Sequence, residues 1–169
     1  MGRTDFLKWR TVSTITKFYD PYDIISINLK SGRLTVTEAK VKFKRFLIAE
    51  KVIRGNIILS YGATALLQLL TGVSGVNPYN NANAQICISN NNSPPSASQT
   101  SLGGTQSACL PMNSNYPTVS GNTATFQATA STSQANFCWY TWGLFNGQYY
   151  LNAVQVNMGT KTSNETWTI

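Results

Sequence analysis

The chain has 169 residues, of which 42% are hydrophobic and only 11% charged, with 13 Lys or Arg against 6 Asp or Glu and no His. That length suffices for one domain with a self-supporting core plus an appended arm. The charge is segregated. Twelve of the thirteen basic residues and five of the six acids fall within the first 54 positions, and residues 55–160 contain no Asp, Glu, Lys, Arg or His.

This distribution argues against an enzyme. General acid–base catalysis needs a group titrating near working pH, normally His or a carboxylate. Nucleophilic triads, metal-activated waters and paired carboxylates all lack their parts in the charge-free region. We therefore expect no catalytic residues, no metal, no cofactor and no small-molecule substrate. The same region is not membrane-like, because Asn, Gln, Ser, Thr and Gly dilute its apolar residues throughout. A free domain normally keeps a mixed, charged surface against association, so a neutral surface points to packing against copies or partners, with an unusual neutral monomer as the alternative. Cys87, Cys109 and Cys138 are too few and too widely spaced for a zinc site, which wants close pairs. Buried free thiols are the default reading, and one disulfide with a leftover thiol stays open. No secretory signal is expected, since charges run through the first thirty residues. In the start MGRTDF, Phe6 stands where a myristoylation signal wants Ser or Thr.

In chain order, residues 1–55 read as a basic, extended β arm. Val12, Thr14 and Thr16 alternate with Thr11, Ser13 and Ile15, and YDPYD (19–23) breaks the strand as a turn. ISINL (25–29) and LTV (34–36) flank KSGR as a hairpin, with Gly32 supplying the positive φ. AKVKFK (39–44) alternates lysines with apolar side chains, as a strand with one basic face, and a bulge is expected near Arg45. Lys40, Lys42, Lys44, Arg45, Lys51 and Arg54 are candidate partner-docking residues. Their sharpest reading is a phosphate-binding stripe. No aromatic stacking motif is interleaved with them, so a patch meeting an acidic protein surface is more economical than nucleic acid.

Residues 56–169 read as a charge-poor β-sandwich or small barrel opened by one short helix. IILSYGATALLQLLTG (57–72) is the only persuasive helix: Ser60 can cap it, Ala63, Leu66, Leu67 and Leu70 fall at helical spacing, and Gly72 can end it. Its polar residues speak against a membrane span. Short strands then recur between turns. AQICI (84–88) is the first, SNNNSPPS (89–96) is a loop, and TVS (118–120) joins TATFQAT (123–129) through Gly121-Asn122. There Ala124, Phe126 and Ala128 should face the core, with Thr123, Thr125, Gln127 and Thr129 outward.

The stretch ANFCWYTWGLFN (135–146) is apolar on both faces, as expected of a strand between two layers or against a neighbouring subunit. Phe137 and Trp139 form one layer, Tyr140 and Trp142 a second, and Gly143 lets the strand bend. Phe126, Phe137, Trp139, Tyr140, Trp142, Leu144 and Phe145 are thus core or intersubunit candidates. NNS (91–93) and NET (164–166) match the glycosylation triplet but carry no weight without a secretory signal.

The order ATALLQLLTG, AQICISNNNSPPSASQTSLGG, SGNTATFQATASTSQANFCWYTWGLFN and LNAVQVNMGTKTSNETWTI resembles small structural proteins of tailed bacteriophages. The layout is also similar, more loosely, to the N-terminal domain of phage tail-collar fibre proteins. Ser98-Gln99-Thr100-Ser101-Leu102 and Trp142-Gly143-Leu144-Phe145-Asn146 match motifs of that layout. Thr141 departs from it where Glu is preferred, and Asn90 to Asn92 depart where Gly and Asp are common. The resemblance covers residues 61–169. It implies a non-enzymatic β-sandwich of the virion, trimeric or in higher copy number, attached to major capsid or tail proteins as a capsid decoration protein or a tail or fibre adaptor. The competing reading is a receptor- or carbohydrate-binding module using exposed Trp139, Tyr140, Trp142, Tyr149 or Tyr150.

Overall fold

The computed structural model describes residues 10–169, so the reading of the start MGRTDF and Phe6 lies outside the described residues. One antiparallel sheet has the order β2-β1-β11-β8, from Leu47–Arg54, Val12–Tyr19, Glu165–Thr168 and Thr129–Ala130. A second has the order β3-β10-β9-β4-β5, from Ile57–Ile58, Asn152–Thr160, Cys138–Phe145, Gln85–Ser89 and Ser107–Pro111. The protein is mainly β, and its two sheets form a sandwich without closing into a barrel.

Both sheets contribute to one main core. Ile15, Ala130 and Trp167 come from the four-stranded sheet, and Ile86, Ile88, Leu110, Trp142, Leu144 and Val154 from the five-stranded one. Alternating side chains of strands buried on one face supply such a core, and its burial is the main favourable term in folding. A second apolar cluster joins Phe18 of β1 to Ile25, Leu29 and Ala39. A third gathers Leu59, Cys87, Leu102 and Ala153, with Phe145 and Tyr150 packed against it.

The N-terminal arm expected from the sequence is built into the sandwich. β1 pairs over Val12 to Phe18 with β2 and over Thr16 to Tyr19 with β11, so of the two arm strands β2 is the one at a sheet edge, with β8 at the other. The hairpin expected at residues 25–36 and the strand at 39–44 are helical instead: α1 (Ile24–Lys30), α2 (Val36–Lys42) and a 3₁₀ turn (Lys44–Phe46). Two local signals outweigh the period-2 pattern. Thr35 and Glu38 form a capping box, Glu38 N–H donating to Thr35 Oγ1 at 3.2 Å and Thr35 N–H to the Glu38 carboxylate at 2.7 Å. Ile25 with Leu29, and Ala39 with Phe43, are four residues apart, so a helix brings each pair to one face over Phe18.

The expected helix is α3 (Ser60–Thr71), but Ile57 and Ile58 at the start of that segment form β3 instead; Leu59 rather than Ser60 is the cap, and Gly72 closes the helix at φ 73°. Gly62 lies so close to β10 that a Cβ there would stand 2.5 Å from the carbonyl oxygens of Tyr150 and Leu151. The helix therefore sits directly on the start of that strand.

β6 (Thr118–Ser120) and β7 (Thr123–Thr125) form the expected hairpin, but as a separate two-stranded ladder. No layer of the described residues covers it, so Ala124 is exposed rather than in the core, whereas Ala128 farther along is fully buried and Phe126 partly so. Thr129, expected outward, is buried, where its hydroxyl meets that of Thr168 at 3.0 Å and accepts from Asn113 Nδ2 at 2.9 Å. Cys87 and Cys109 stand opposite each other on β4 and β5 and form a disulfide, which corrects the default reading of free thiols; Cys138 is free.

β9 is covered on both faces within one chain. The pairing of β9 with β10 shifts register between Gln155 and Gly159, and such a bulge re-aims side chains. Trp139 and Trp142 consequently share the main core, which corrects their assignment to separate layers, and Tyr140 is left half-buried. Phe137 and Leu144 also join the main core, and Phe145 packs on the third cluster beneath Leu59. Gly143 is required by close approach rather than by a bend, because a Cβ there would be driven into the Asn152 carbonyl oxygen.

Candidate functional site

The six basic residues singled out from the sequence lie on α2, the 3₁₀ turn and β2, but they do not form one stripe. On a helix Lys40 and Lys42 are about 200° apart around the axis, whereas a strand would have aligned them. Lys40 Nζ instead pairs with the Glu50 carboxylate at 2.7 Å, which ties α2 to β2. Such an exposed pair is worth at most about 1 kcal/mol. Lys51 projects from the opposite face of β2 to Glu50 and donates to the Asn157 carbonyl at 2.8 Å. Lys42, Lys44, Arg45 and Arg54 are exposed and make no side-chain hydrogen bond among the described residues. Between them stand exposed apolar side chains, Val41 at 77%, Ile48 and Val52.

Three lysines are turned inward. Lys17 Nζ lies 3.8 Å from the centroid of the Trp167 ring and donates to the Met158 carbonyl, and burial lowers its pKa. Lys30 Nζ donates to Gln134 Oε1 at 2.6 Å, again with its pKa lowered by burial. Lys161 is 1% exposed and donates to Asn136 Oδ1 at 2.7 Å. Burial brings its pKa down to about 8, against smaller opposing effects of Glu165 and Asp23.

The sign of the resulting pH dependence follows from proton counts. Between about pH 8 and the ordinary lysine value of 10.5 the unfolded chain holds a proton on Lys161 that the native protein has released, so stability rises with pH. Below pH 8 both states are protonated and the contribution is flat. We expect a gain of about 2 kcal/mol between pH 8 and 10, because each tenfold difference in proton affinity between the two states is worth about 1.4 kcal/mol, measured by urea denaturation. Tyr79, pushed up to about 12 by burial, acts the other way above pH 10. In Lys161→Met most of the slope should vanish, leaving the parts due to Lys17 and Lys30. An unchanged slope would contradict the assignment.

The acids anchor the helices rather than forming a reactive pair. The Asp20 carboxylate, 3% exposed, accepts from the amides of Ile25 (3.1 Å) and Ser26 (2.9 Å) and from the Thr166 hydroxyl (2.9 Å). Burial works against the Asp23 carboxylate. The Thr132 amide and hydroxyl and the Ser26 hydroxyl outweigh it and hold its pKa below the usual value. Sequence reading placed Asp20 and Asp23 in a turn but missed this role. The only local signal was Asp shortly before an apolar i, i+4 pair. No group of three or more His, Cys, Asp or Glu that could hold a metal occurs among the described residues, and no helix there is long and apolar enough to cross a membrane.

The aromatic stretch offers little free surface. Trp139 and Trp142 are 0% and 4% exposed, which removes them as sugar-stacking platforms. The turn after β9 is held by buried Asn146. Its Nδ2 donates to the Asn77 carbonyl at 2.7 Å, and its Oδ1 accepts from the amides of Gln148 (3.0 Å) and Tyr149 (2.7 Å).

The molecule is thus an antiparallel β-sandwich whose charged surface residues are gathered on the layer formed by β1, β2, α1 and α2. Comparisons with protein-family models, with curated proteins and with solved structures find no match to this chain.

Proposed function

We propose that this chain is a non-enzymatic structural protein of a bacteriophage virion. It docks on major capsid or tail proteins through its basic layer, and its neutral layer packs against copies of itself in a trimer or larger assembly. The observation that carries this reading is the segregation of charge. The whole net charge of +7 comes from the first 54 residues, because Lys161 and Glu165 cancel in the remainder. Those residues supply β1, β2, α1 and α2, whereas β3 to β10 and α3 carry no charged side chain. A surface of one sign steers association with an acidic partner, and a neutral one opposes no approach of copies. The resemblance of residues 61–169 to phage structural proteins supports the same reading.

The test is a triple reversal, Lys42→Glu, Lys44→Glu and Arg45→Glu, at exposed side chains that make no hydrogen bond or ion pair among the described residues, Lys42 and Arg45 lying only over the rings of Phe43 and Phe46. Co-sedimentation of the purified protein with particles lacking it should weaken at least roughly a hundredfold, as expected when three favourable charge contacts become repulsive. Circular dichroism and the oligomeric state by light scattering should not change. Undiminished association of the variant would reject docking through this face.

A further inference from the structure

We infer that the cleft between the first turn of α3 and the β9–β10 turn is a binding site for a neutral sugar ring. Tyr61 and Tyr149 present parallel rings to it, with 1° between their planes and centroids 6.5 Å apart. Gln99, Thr100, Gln148 and Tyr150 complete the lining of a cleft of about 230 Å³. That is below the roughly 300–1,000 Å³ of pockets for drug-sized molecules, so the occupant is one ring with its substituents rather than an extended surface. Tyr149 and Tyr150 were among the aromatics weighed from the sequence. Tyr61, Gln99, Thr100 and Gln148 were not, because 38 residues or more separate Tyr61 from the others and only the fold brings them together.

The lining selects the chemistry. Flat aromatic faces pack against the C–H face of a pyranose, and the amides and hydroxyls around them offer both donors and acceptors to its hydroxyl groups. No charged side chain among the described residues lines the cleft, so a phosphate, carboxylate or ammonium would be desolvated there without a counter-ion. The walls are also fixed before any ligand arrives. Gly62 seats α3 against β10, Asn146 sets the turn that carries Tyr149, and the Tyr150 ring packs on Phe145 with centroids 4.5 Å apart. Gln148 is held from both ends, Oε1 accepting from the Asn77 amide at 2.7 Å and Nε2 donating to the Gly75 carbonyl at 3.0 Å. Gln99 Oε1 accepts from the Ser96 amide at 2.9 Å, which leaves its Nε2 as a donor edge. Preorganised walls reduce the entropy lost on binding.

This site does not depend on the structural role proposed above, although display in many copies would multiply a weak single-site affinity. The test is an array of neutral and acidic glycans probed with the full chain, followed by titration of the strongest neutral oligosaccharide. A neutral glycan should bind with little dependence on salt. Tyr61, 52% exposed, can be changed without disturbing the core. Tyr61→Ala should weaken binding roughly tenfold, the scale of one lost aromatic contact, with the melting temperature unchanged, and Tyr61→Phe should retain most of it. Tyr149→Ala is the second variant and should act in the same direction. The inference is overturned if no neutral glycan binds, or if neutral binding survives both alanine variants. It is equally overturned if binding is confined to acidic glycans and lost with salt, which would place it on the basic layer.

Discussion

Replacing Trp139 by Ala is expected to cost about 4 kcal/mol of folding stability, read as a lower urea midpoint with little change in slope. Trp139 is fully buried in the main core, and its ring meets Trp167 edge-on at 4.8 Å with 65° between planes. Truncation removes one of the two largest fully buried side chains and leaves a cavity at the contact between the sheets, since Trp139 lies on β9 and Trp167 on β11. The edge-to-face contact adds about 0.5–1.5 kcal/mol beyond area burial. The indole N–H donates to the Ala135 carbonyl at 2.8 Å, and its loss leaves that acceptor with the Phe137 amide alone, at 2.9 Å. Domains of this size are stable by only about 5–15 kcal/mol, so the variant should be marginal near body temperature. Tyr140→Ala, one residue on and half-buried, should cost clearly less. A Trp139→Ala protein within about 1 kcal/mol of the wild type would mean that the two sheets are not joined through this pair.

Asp20→Ala is expected to cost about 3 kcal/mol, because one buried carboxylate accepts two amides at the start of α1 and a hydroxyl from β11. The Asp20 amide also donates to the Asn164 carbonyl at 2.8 Å, so this residue fastens the α1–α2 pair to the last strand. Removing the carboxylate strands buried donors that no nearby acceptor replaces. Hydrogen exchange should show the amides of Ile25 and Ser26 losing protection before those of β9. Asp20→Asn, which keeps one acceptor oxygen, should fall between Ala and wild type. A loss below about 0.5 kcal/mol, with protection of α1 intact, would show that apolar packing on Phe18 alone holds the helices.

Where the sequence was legible, a local signal and the tertiary environment agreed. The strands within residues 84–88 and 135–146, the Gly121-Asn122 turn and α3 with Gly72 at its end all combine the right period with the right punctuation. In the first 55 residues they conflicted. AKVKFK alternates as a strand should, but the capping box at Thr35 and Glu38 and the apolar spacing of Val36, Ala39 and Phe43 carry a helical period that packing on Phe18 selects. The basic residues were visible, but their common face was not, since it depended on that conformation. The pairing of Trp139 with Trp142 could not be read from alternation, because it depends on a register shift in the partner strand. The disulfide likewise depends on which strand lies beside β4, and the Tyr61–Tyr149 cleft on contacts far apart in the chain.

The proposed virion role requires this chain to sit on a particle in several copies. Quantitative mass spectrometry of gradient-purified particles from cells carrying the gene measures that directly. The chain should then appear in the particle band at fixed stoichiometry to the major capsid or tail protein. Hundreds of copies would identify capsid decoration, and a few to tens a tail or fibre adaptor. A chain found only in the soluble fraction, with particles complete without it, would contradict the virion role.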